Sequence, residues 1–529
     1  MRLVEKHTAF AVLCLELAVA GPLLVLYGRH QWFRQDEWDF VANRSLSHPS
    51  ELLRAHGVGW STLPVVVYRV LYAAVGLRSY WPYLVAVVAA HLTIVVLLWF
   101  VMRRHTVAPW VATALATVLL AFGPGWEAIL WGFELTVLGA LLFGLAQLLA
   151  VDRDGPLDRF DGLALAFGLA ALMCSEVGVT MVAVAAVTAL VRRGWKPAAL
   201  QAGVLGVIYV AWFGYARPSS SFDPTHQGAA AALGSAVSWA ARSVGDTFRA
   251  TGRGPLVGLV LAALLVVGLV LAWSSMPLRR FRRKGAAVAV LLAGALLGIG
   301  MLAAIERVGH APDAGRYLYV NAALMLPAFG VAVTALIARW RILAPVLVVV
   351  LVVLVPLDAR EFRQVRPVAT ASAELKPVVW ALAHSSVLVH VPGNQFVDQT
   401  DFTKAVTADW LRKVAKSKVL PPVGVLRGHA SAQAVLQLAI DQSQVSPPTG
   451  CVLVHRPQLE RLRPGEVFGI QPAPGLPLDA IYLRPLLRGS GLVAPVRFDL
   501  TWGHTFRAVL PLKVALGSGP SLVPFELCR

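Results

Sequence analysis

A chain of 529 residues in which 57% are hydrophobic and only 14% are charged is too apolar for an ordinary soluble protein of its size. The mean hydropathy of +0.66 indicates a protein that crosses a membrane several times. The formal charge of +18 is spread over short basic loops and a scatter of Arg and Lys near the C-terminus. No nucleic-acid motif accompanies it, so we expect no nucleic-acid partner.

Apolar segments long enough to cross the hydrocarbon core, which takes roughly 20 helical residues, fill the first two thirds of the chain. They lie at about 8–27, 81–102, 108–123, 132–151, 197–215, 255–273, 285–305, 317–338 and 342–357. The run 161–191 is too long for one helix, and we divide it near CSEVGV, residues 174–179. This predicts a mostly α, polytopic bundle of about eleven transmembrane helices.

Short basic loops predict the orientation, because such loops stay on the cytoplasmic side. Loops of this kind at 102–105, 191–196, 278–285 and 338–341 alternate consistently along the chain. We therefore expect a multi-pass plasma-membrane protein with a cytoplasmic N-terminus. The predicted transmembrane domain is 1–357, and the predicted extracytoplasmic soluble domain is 358–529.

The soluble part has the pattern of an α+β, β-rich domain. Residues 403–418 have a helical pattern, and the short β-like runs CVLVH, AIYLRPLL, VRFDLTW and FRAVLPLKVAL follow, separated by Pro and Gly. Cys451 and Cys528 both fall on the predicted outer side, where oxidation is permitted. We predict a disulfide between them, with two free buried thiols as the alternative.

The stretch RHQWFRQDEWDFVANRSL, residues 29–46, places acids beside aromatics directly after the first apolar segment. It belongs to an unusually long first outer loop, 28–80, whose semi-apolar piece 60–76 suits a helix along the membrane interface. If a helix starts at Asp36, then Asp36 and Asp39 share a face and can act as a general base or hold a cation against a phosphate. The alternative is an N-cap that merely satisfies first-turn amides.

Further candidates come from loops far apart in sequence that lie on the same predicted outer side and can converge on one cavity. They are His56 and Trp60 in HGVGW, Trp126, Glu127, Trp131 and Glu134 in GPGWEAILWGFE, Glu176 at the break in 161–191, and Arg316 and Tyr317 in DAGRYLY. Asp223, His226, Glu306 and His310 lie on this side as well.

Arg316 and Tyr317 open a predicted transmembrane helix. The guanidinium can clamp a lipid phosphate through a bidentate contact, or it can extend to the interface within an aromatic belt. Glu176 can line a cavity at the helix break or simply cap the second half-helix.

His56 and Trp60 flank two glycines that would allow close approach of a substrate. Trp60 can stack on a sugar ring or anchor an ordinary turn in the membrane. Trp126 and Glu127 suit recognition of sugar hydroxyl groups, although interfacial tryptophan is common in membrane proteins.

The acidic DE pair after the first transmembrane helix, the long first outer loop, about eleven crossings and a trailing outer domain together resemble the C-type (GT-C) membrane glycosyltransferases. QDEWDF, residues 56–92 and GRYLYVNAALMLP are similar to uncharacterised actinobacterial members of that group. The resemblance implies a polyprenyl-phosphate sugar as donor and Asp36 as catalytic base, with Glu37 beside it. Asp39 adds a third acid here, so the identity of the base stays open.

The resemblance further implies the reaction. A sugar would pass from the polyprenyl-phosphate carrier to a hydroxyl of a cell-envelope glycan, glycolipid or protein on the outer face, by one displacement with inversion. No cofactor is implied with certainty, and a divalent metal ion held by the acids remains open.

Two other functions stay open from the sequence, a transporter or lipid flippase and a non-catalytic envelope assembly protein. A transporter needs charged residues along a path to the cytoplasmic side, for which Glu16 and His91 are the main candidates. The simplest explanation of their mid-helix positions is a structural contact between the two side chains, because ionisable groups within a membrane are usually paired; a proton relay in a transporter is the functional alternative.

Overall fold

The computed structural model describes residues 2–57, 59–217, 229–274, 276–298, 312–397, 405–420, 428–442, 448, 450–455, 458–472, 480–485, 496–499, 505–517 and 524–529. The chain divides into two compact units. Unit 1 comprises Met1–Arg29, Leu46–Val67 and Trp81–Arg366, and unit 2 comprises His30–Ser45, Tyr68–Tyr80 and Pro367–Arg529. Two pieces of the first long loop therefore fold with the C-terminal part of the chain.

The described part is mostly helical. Its helices in chain order are α1 (Arg2–Gly28), α2 (Glu37–Ala42), α3 (Pro49–Leu53), α4 (Thr62–Val75), α5 (Trp81–Arg104), α6 (Pro109–Leu120), α7 (Trp126–Leu130), α8 (Leu135–Val151), α9 (Arg159–Leu172), α10 (Val177–Arg193), α11 (Trp195–Ala216), α12 (Ala229–Thr251), α13 (Pro255–Trp273), α14 (Leu278–Lys284), α15 (Ala286–Ala293), α16 (Gly315–Arg339), α17 (Leu343–Glu361), α18 (Val365–Ala383), α19 (Ala408–Ala415) and α20 (Gly428–Ala439).

Among the described residues, seven helices are long and apolar enough to cross a membrane, or eight when the bent pair Pro109–Leu120 and Gly123–Leu130 counts as one span. The seven are Glu5–Gly28, Trp81–Arg104, Gly132–Val151, Trp195–Ala216, Pro255–Trp273, Gly315–Arg339 and Leu343–Ala383. Their length and apolarity make this a membrane protein. The count of about eleven would also need the shorter helices α9, α10 and α15, and it stays a prediction.

The long apolar run 161–191 is broken where the sequence suggests. α9 ends at Leu172 and α10 begins at Val177. The two helices touch at the break, because a Cβ added at Gly178 would lie 2.3 Å from the carbonyl oxygen of Ala171. This close approach fixes the position of the short connection that carries Glu176.

The acidic loop between α8 and α9 neutralises basic residues of its neighbours. Buried Asp152 lies 3.1 Å from Arg104, 3.1 Å from His105 and 2.5 Å from Arg192. Burial acts to raise the pKa of Asp152, but the hydrogen bonds and charges of His105 and Arg192 outweigh it and lower the pKa. These ion pairs join the ends of α5, α8 and α10.

The C-terminal part of unit 2 contains two antiparallel sheets. The strands are β1 (Ile440–Gln442), β2 (Cys451–Val454), β3 (Gln458–Leu462), β4 (Val467–Pro472), β5 (Ala480–Pro485), β6 (Val496–Asp499), β7 (Thr505–Ala508), β8 (Leu512–Gly517) and β9 (Phe525–Cys528). Their orders are β1-β7-β4-β9-β2 and β3-β8-β5-β6. Of the helix predicted over 403–418, residues 408–415 are helical as α19, residues 405–407 and 416–418 are not, and residues 403 and 404 lie outside the described part.

The core of this region joins strands to α20. Phe468 and Phe506 stack with ring centroids 5.4 Å apart, and Leu436 of α20 is buried in the same cluster. Cys451 and Cys528 stand opposite each other on β2 and β9 and are joined by a disulfide. The pairing expected from the sequence is thus the one present in the structure.

Candidate functional site

The aromatics of the acidic stretch form a packed core within unit 2. Trp32, Phe33 and Trp38 are buried, and the rings of Trp32 and Trp38 meet edge to face with centroids 5.5 Å apart. Trp32 donates its ring N–H to the Leu77 carbonyl oxygen over 2.9 Å, and its backbone N–H to Ser372 Oγ over 3.0 Å. The stretch is therefore held by a backbone carbonyl and a side chain from two other parts of the sequence.

Glu37 is fully buried and accepts three hydrogen bonds. Its Oε1 accepts from the Tyr68 hydroxyl at 2.5 Å and from the Tyr80 hydroxyl at 2.8 Å, and its Oε2 accepts from the backbone N–H of Arg34 at 3.0 Å. Burial raises the pKa of Glu37, although the bonds from the two tyrosines act in the opposite direction. This carboxyl group ties residues 30–45 to 68–80, which is a structural role.

Asp39 is also buried, at 8% exposure. Its Oδ2 accepts from Arg44 Nη2 at 2.6 Å and Nε at 3.0 Å, and its Oδ1 accepts from Asn43 at 3.0 Å. Both oxygens are thus engaged within a few residues of α2, and the ion pair with Arg44 compensates the buried charge.

Asp36 differs from the other two acids because it is only half-buried. It precedes α2, which begins at Glu37, one residue later than expected. In this fully described stretch the Asp36 side chain does not hydrogen-bond the first-turn amides of the helix. The capping alternative therefore does not describe Asp36, and of the three acids it is the one with access to solvent.

A second set of charged residues meets within unit 1, and we call His56, Glu127, Glu134, Glu176 and Arg316 the Glu176 cluster. Arg316 stands in the first turn of α16, and its Nη1 lies 3.7 Å from Oε1 of Glu134, which is fully buried. The charges of Arg316, Glu134 and His56 all act on Glu176. The charge of Glu127 acts on Arg316.

Two glycines let the elements of the Glu176 cluster approach. A Cβ at Gly59 would lie 2.7 Å from Oε2 of Glu176, and a Cβ at Gly315 would lie 3.5 Å from Cβ of Glu127. The backbones of His56 and Gly59 are paired by hydrogen bonds of 3.0 Å in both directions, which fixes this turn beside the helix break. Gly59 therefore accommodates a carboxylate of the protein itself.

The cluster combines Glu176, a carboxyl group with a raised pKa, and the guanidinium of Arg316. Burial raises the pKa of Glu176, Glu134 raises it further, and Arg316 and His56 act to lower it. A carboxyl group in such surroundings keeps its proton to a higher pH than a free carboxyl group does. Arg316, with 23% of its side chain exposed, can donate hydrogen bonds to an anion.

Aromatic rings lie beside two members of the cluster, Arg316 and His56. The Tyr317 ring lies 5.2 Å from Cζ of Arg316, and the His56 ring meets Phe133 edge to face at 5.2 Å. Trp126 begins α7 and is half-buried. Predicted candidates Asp223, His226, Glu306 and His310 lie outside the described residues.

Trp60 is occupied by packing. Its ring stacks on Trp212 with centroids 5.0 Å apart and 4° between the planes, and its N–H donates to Thr62 Oγ1 over 2.7 Å. Only 5% of the residue is exposed. This arrangement agrees with a packing role for Trp60.

The predicted contact between Glu16 and His91 is not formed. His91 is engaged by the Tyr319 hydroxyl at 2.8 Å from Nδ1 and by the Leu120 carbonyl at 3.3 Å from Nε2. Glu16 accepts from Thr117 Oγ1 at 2.7 Å. Buried His91 is thus engaged by α6 and α16, and half-buried Glu16 is engaged by α6, so the predicted contact between the two side chains is absent.

Sequence reasoning missed the partners of the acids rather than the acids. The hydroxyl groups of Tyr68 and Tyr80 bind buried Glu37, and the guanidinium of Arg44 binds buried Asp39. In the sequence, the only signal for these contacts is the polar group that each of the three side chains carries. Within the described ranges, no group of three or more His, Cys, Asp and Glu side chains is arranged to hold a metal ion.

Comparison with protein-family models, with curated proteins and with solved structures finds no match for this chain.

Proposed function

We propose that this membrane protein is a glycosyltransferase that transfers a sugar from a polyprenyl-phosphate donor to a cell-envelope glycan, glycolipid or protein on the outer face of the membrane. The observation that carries the proposal is the Glu176 cluster, in which one arginine and three glutamates meet at the start of an apolar helix. The donor has the matching chemistry, a phosphate on a lipid that arrives through the bilayer and a sugar rich in hydroxyl groups.

Arg316 is the proposed ligand of the donor phosphate. A guanidinium that only extended to the membrane surface would not stand 3.7 Å from a fully buried carboxylate such as Glu134. That carboxylate holds the cation in place before the donor binds, so its N–H groups are oriented toward the charge that grows on the leaving phosphate. Glu127 and Glu176 offer acceptors to sugar hydroxyl groups, and Trp126 offers a ring face.

Asp36 is the proposed base, by the resemblance and by elimination among the three acids. Glu37 and Asp39 are buried and hydrogen-bonded, whereas Asp36 is partly exposed. In the proposed step, the acceptor hydroxyl oxygen attacks the anomeric carbon and loses its proton to Asp36. The bond between that carbon and the phosphate oxygen breaks, and the lipid phosphate leaves with the electron pair.

The proposal includes a topology of about eleven crossings, with a cytoplasmic N-terminus and the C-terminal part outside. The disulfide between Cys451 and Cys528 supports this side for the C-terminal part, because disulfides persist in oxidising compartments.

The experiment that tests the function is native mass spectrometry of the gently solubilised full chain. We expect a co-purified lipid of polyprenyl-phosphate mass, with or without a sugar, that is lost in Arg316→Ala. Arg339→Ala is the matched control, because Arg339 is exposed and lies at the other end of the same helix. Bulk phospholipid alone in repeated preparations, or equal loss in both variants, would contradict the proposal.

A further inference from the structure

A separate cavity lies where the beginning of α1 meets the ends of α5 and α8. Its volume is about 460 Å³, within the roughly 300–1,000 Å³ range of ligand sites. It is lined by Lys6, Trp99, Phe100, Arg103, Arg104 and Leu149. None of these residues belongs to the Glu176 cluster or to the acidic stretch.

The cavity carries uncompensated positive charge. Among the described residues, neither Lys6 nor Arg103 forms an ion pair with a carboxylate. Arg103 donates from Nη1 to the Val107 carbonyl oxygen, and its buried Nε has no acceptor in the described part of the chain. Arg104 differs, because its Nε lies 3.1 Å from Asp152. Two cations of the lining are thus available to an anion.

The remaining wall is apolar and aromatic. Phe100 is 43% exposed, and the buried Trp99 ring lies 6.0 Å from Cζ of Arg103. Both α1 and α5 contain candidate membrane spans, and Arg103 stands in the last turn of α5. The ends of spanning helices lie at the level of the lipid headgroups, where basic and aromatic side chains meet phosphate and acyl chain together.

We propose that this cavity binds an anionic phospholipid, with its phosphate on Lys6 and Arg103 and an acyl chain along Phe100. A phosphate supplies acceptors for both cations, and the guanidinium can bind it through two parallel N–H groups. The aromatic wall at the end of two spans selects a lipid over a soluble phosphate, because a soluble anion gains nothing from apolar surface. The site is independent of the proposed glycosyl transfer.

The test is lipid binding by the delipidated full chain, counted by native mass spectrometry during titration with phosphatidylglycerol or phosphatidylcholine. We expect tighter retention of phosphatidylglycerol and at least a tenfold loss of it in the double variant Lys6→Gln/Arg103→Gln. The double variant Lys196→Gln/Arg341→Gln is the control, because it removes the same charge at exposed positions elsewhere. It should bind as the wild type does.

Three results would overturn the proposal. Equal loss in both double variants would mean attraction to overall charge, and equal retention of the two lipids would mean no recognition of the anion. Competition by glycerol 3-phosphate at the concentration of the lipid would mean a site for soluble phosphate. Arg103→Lys keeps the positive charge and an aliphatic side chain at this position, so it should retain part of the lipid binding. This variant therefore separates loss of the phosphate contact from loss of folding.

Discussion

Replacing Glu37 with glutamine should weaken the fold around residues 30–45 rather than remove a catalytic group. Three donors point at the carboxyl group, the hydroxyls of Tyr68 and Tyr80 and the backbone N–H of Arg34. Glutamine has one acceptor oxygen, so its amide N–H₂ would face at least one of these donors. Above the raised folded pKa, where the carboxyl group is ionised, a lost hydrogen bond to it is worth about 1.5–3 kcal/mol, and we expect a loss of this size there.

Hydrogen exchange of peptides from residues 30–45, measured on the full chain, reports this local stability directly. A loss of that size corresponds to roughly 10- to 150-fold faster exchange where opening is the limiting equilibrium. Tyr80→Phe removes one of the same bonds and should give a smaller increase, and the double variant should show less than the sum because the two groups interact. Unchanged exchange together with lost activity in Glu37→Gln would refute the structural role and make Glu37 the base.

The same carboxyl group predicts a pH dependence. Because burial raises the pKa of Glu37, the folded state keeps the proton to a higher pH than the unfolded state does. Its contribution to stability is then full below the unfolded pKa, about 4.3, and is lost as the pH rises through the raised folded pKa. After correction for intrinsic exchange rates, protection of 30–45 should fall over this window in the wild type and should not do so in Glu37→Gln.

Three further outcomes follow from the structure. Asp36→Asn should lower transfer activity by about 100-fold or more, the range of a general base, without faster exchange of 30–45; a loss under tenfold would contradict its role. Gly59→Ala should displace the Glu176 carboxylate, because its Oε2 would lie 2.7 Å from the new Cβ. We expect this variant to retain less donor in native mass spectrometry. Gly162→Ala is the control and should retain the donor, because no atom lies within 4 Å of its Cβ. Cys451→Ser should lower the free energy of unfolding of the C-terminal sheets by about 2–5 kcal/mol. A thermal unfolding midpoint of the wild type that is the same with and without reductant would argue against this.

The acidic stretch combines two structural acids with the proposed base. Its spacing on a short helix brings Asp36 and Asp39 near one face, which is the feature that suggests chemistry. The fold uses Asp39 with Arg44 and Glu37 with two tyrosines to hold the segment, and this support keeps the half-buried Asp36 in a fixed place. Removal of the supporting acids should therefore affect stability first and activity second.

The sequence by itself determined the features that depend on neighbouring residues. The apolar runs marked the long helices, and the polar group at 174–179 marked the break between α9 and α10, because length and hydropathy are local properties. The four β-like runs located five strands, β2, β5, β6, β7 and β8, whereas β1, β3, β4 and β9 were missed because each contains polar or charged residues. The cysteine pair was predicted because both residues fall on the same predicted outer side.

Tertiary structure decided which charged groups are buried and what each of them contacts. The mid-helix positions of Glu16 and His91 suggested a contact between them, and the glycines beside Trp60 left a stacked sugar open as one alternative. Thr117 and Trp212 are instead the neighbours of Glu16 and Trp60. The same holds for Glu176, whose carboxylate lies against Gly59. Burial and hydrogen bonding depend on which distant segments pack together, and packing is set by the shape and polarity of whole surfaces rather than by the spacing of residues along one segment.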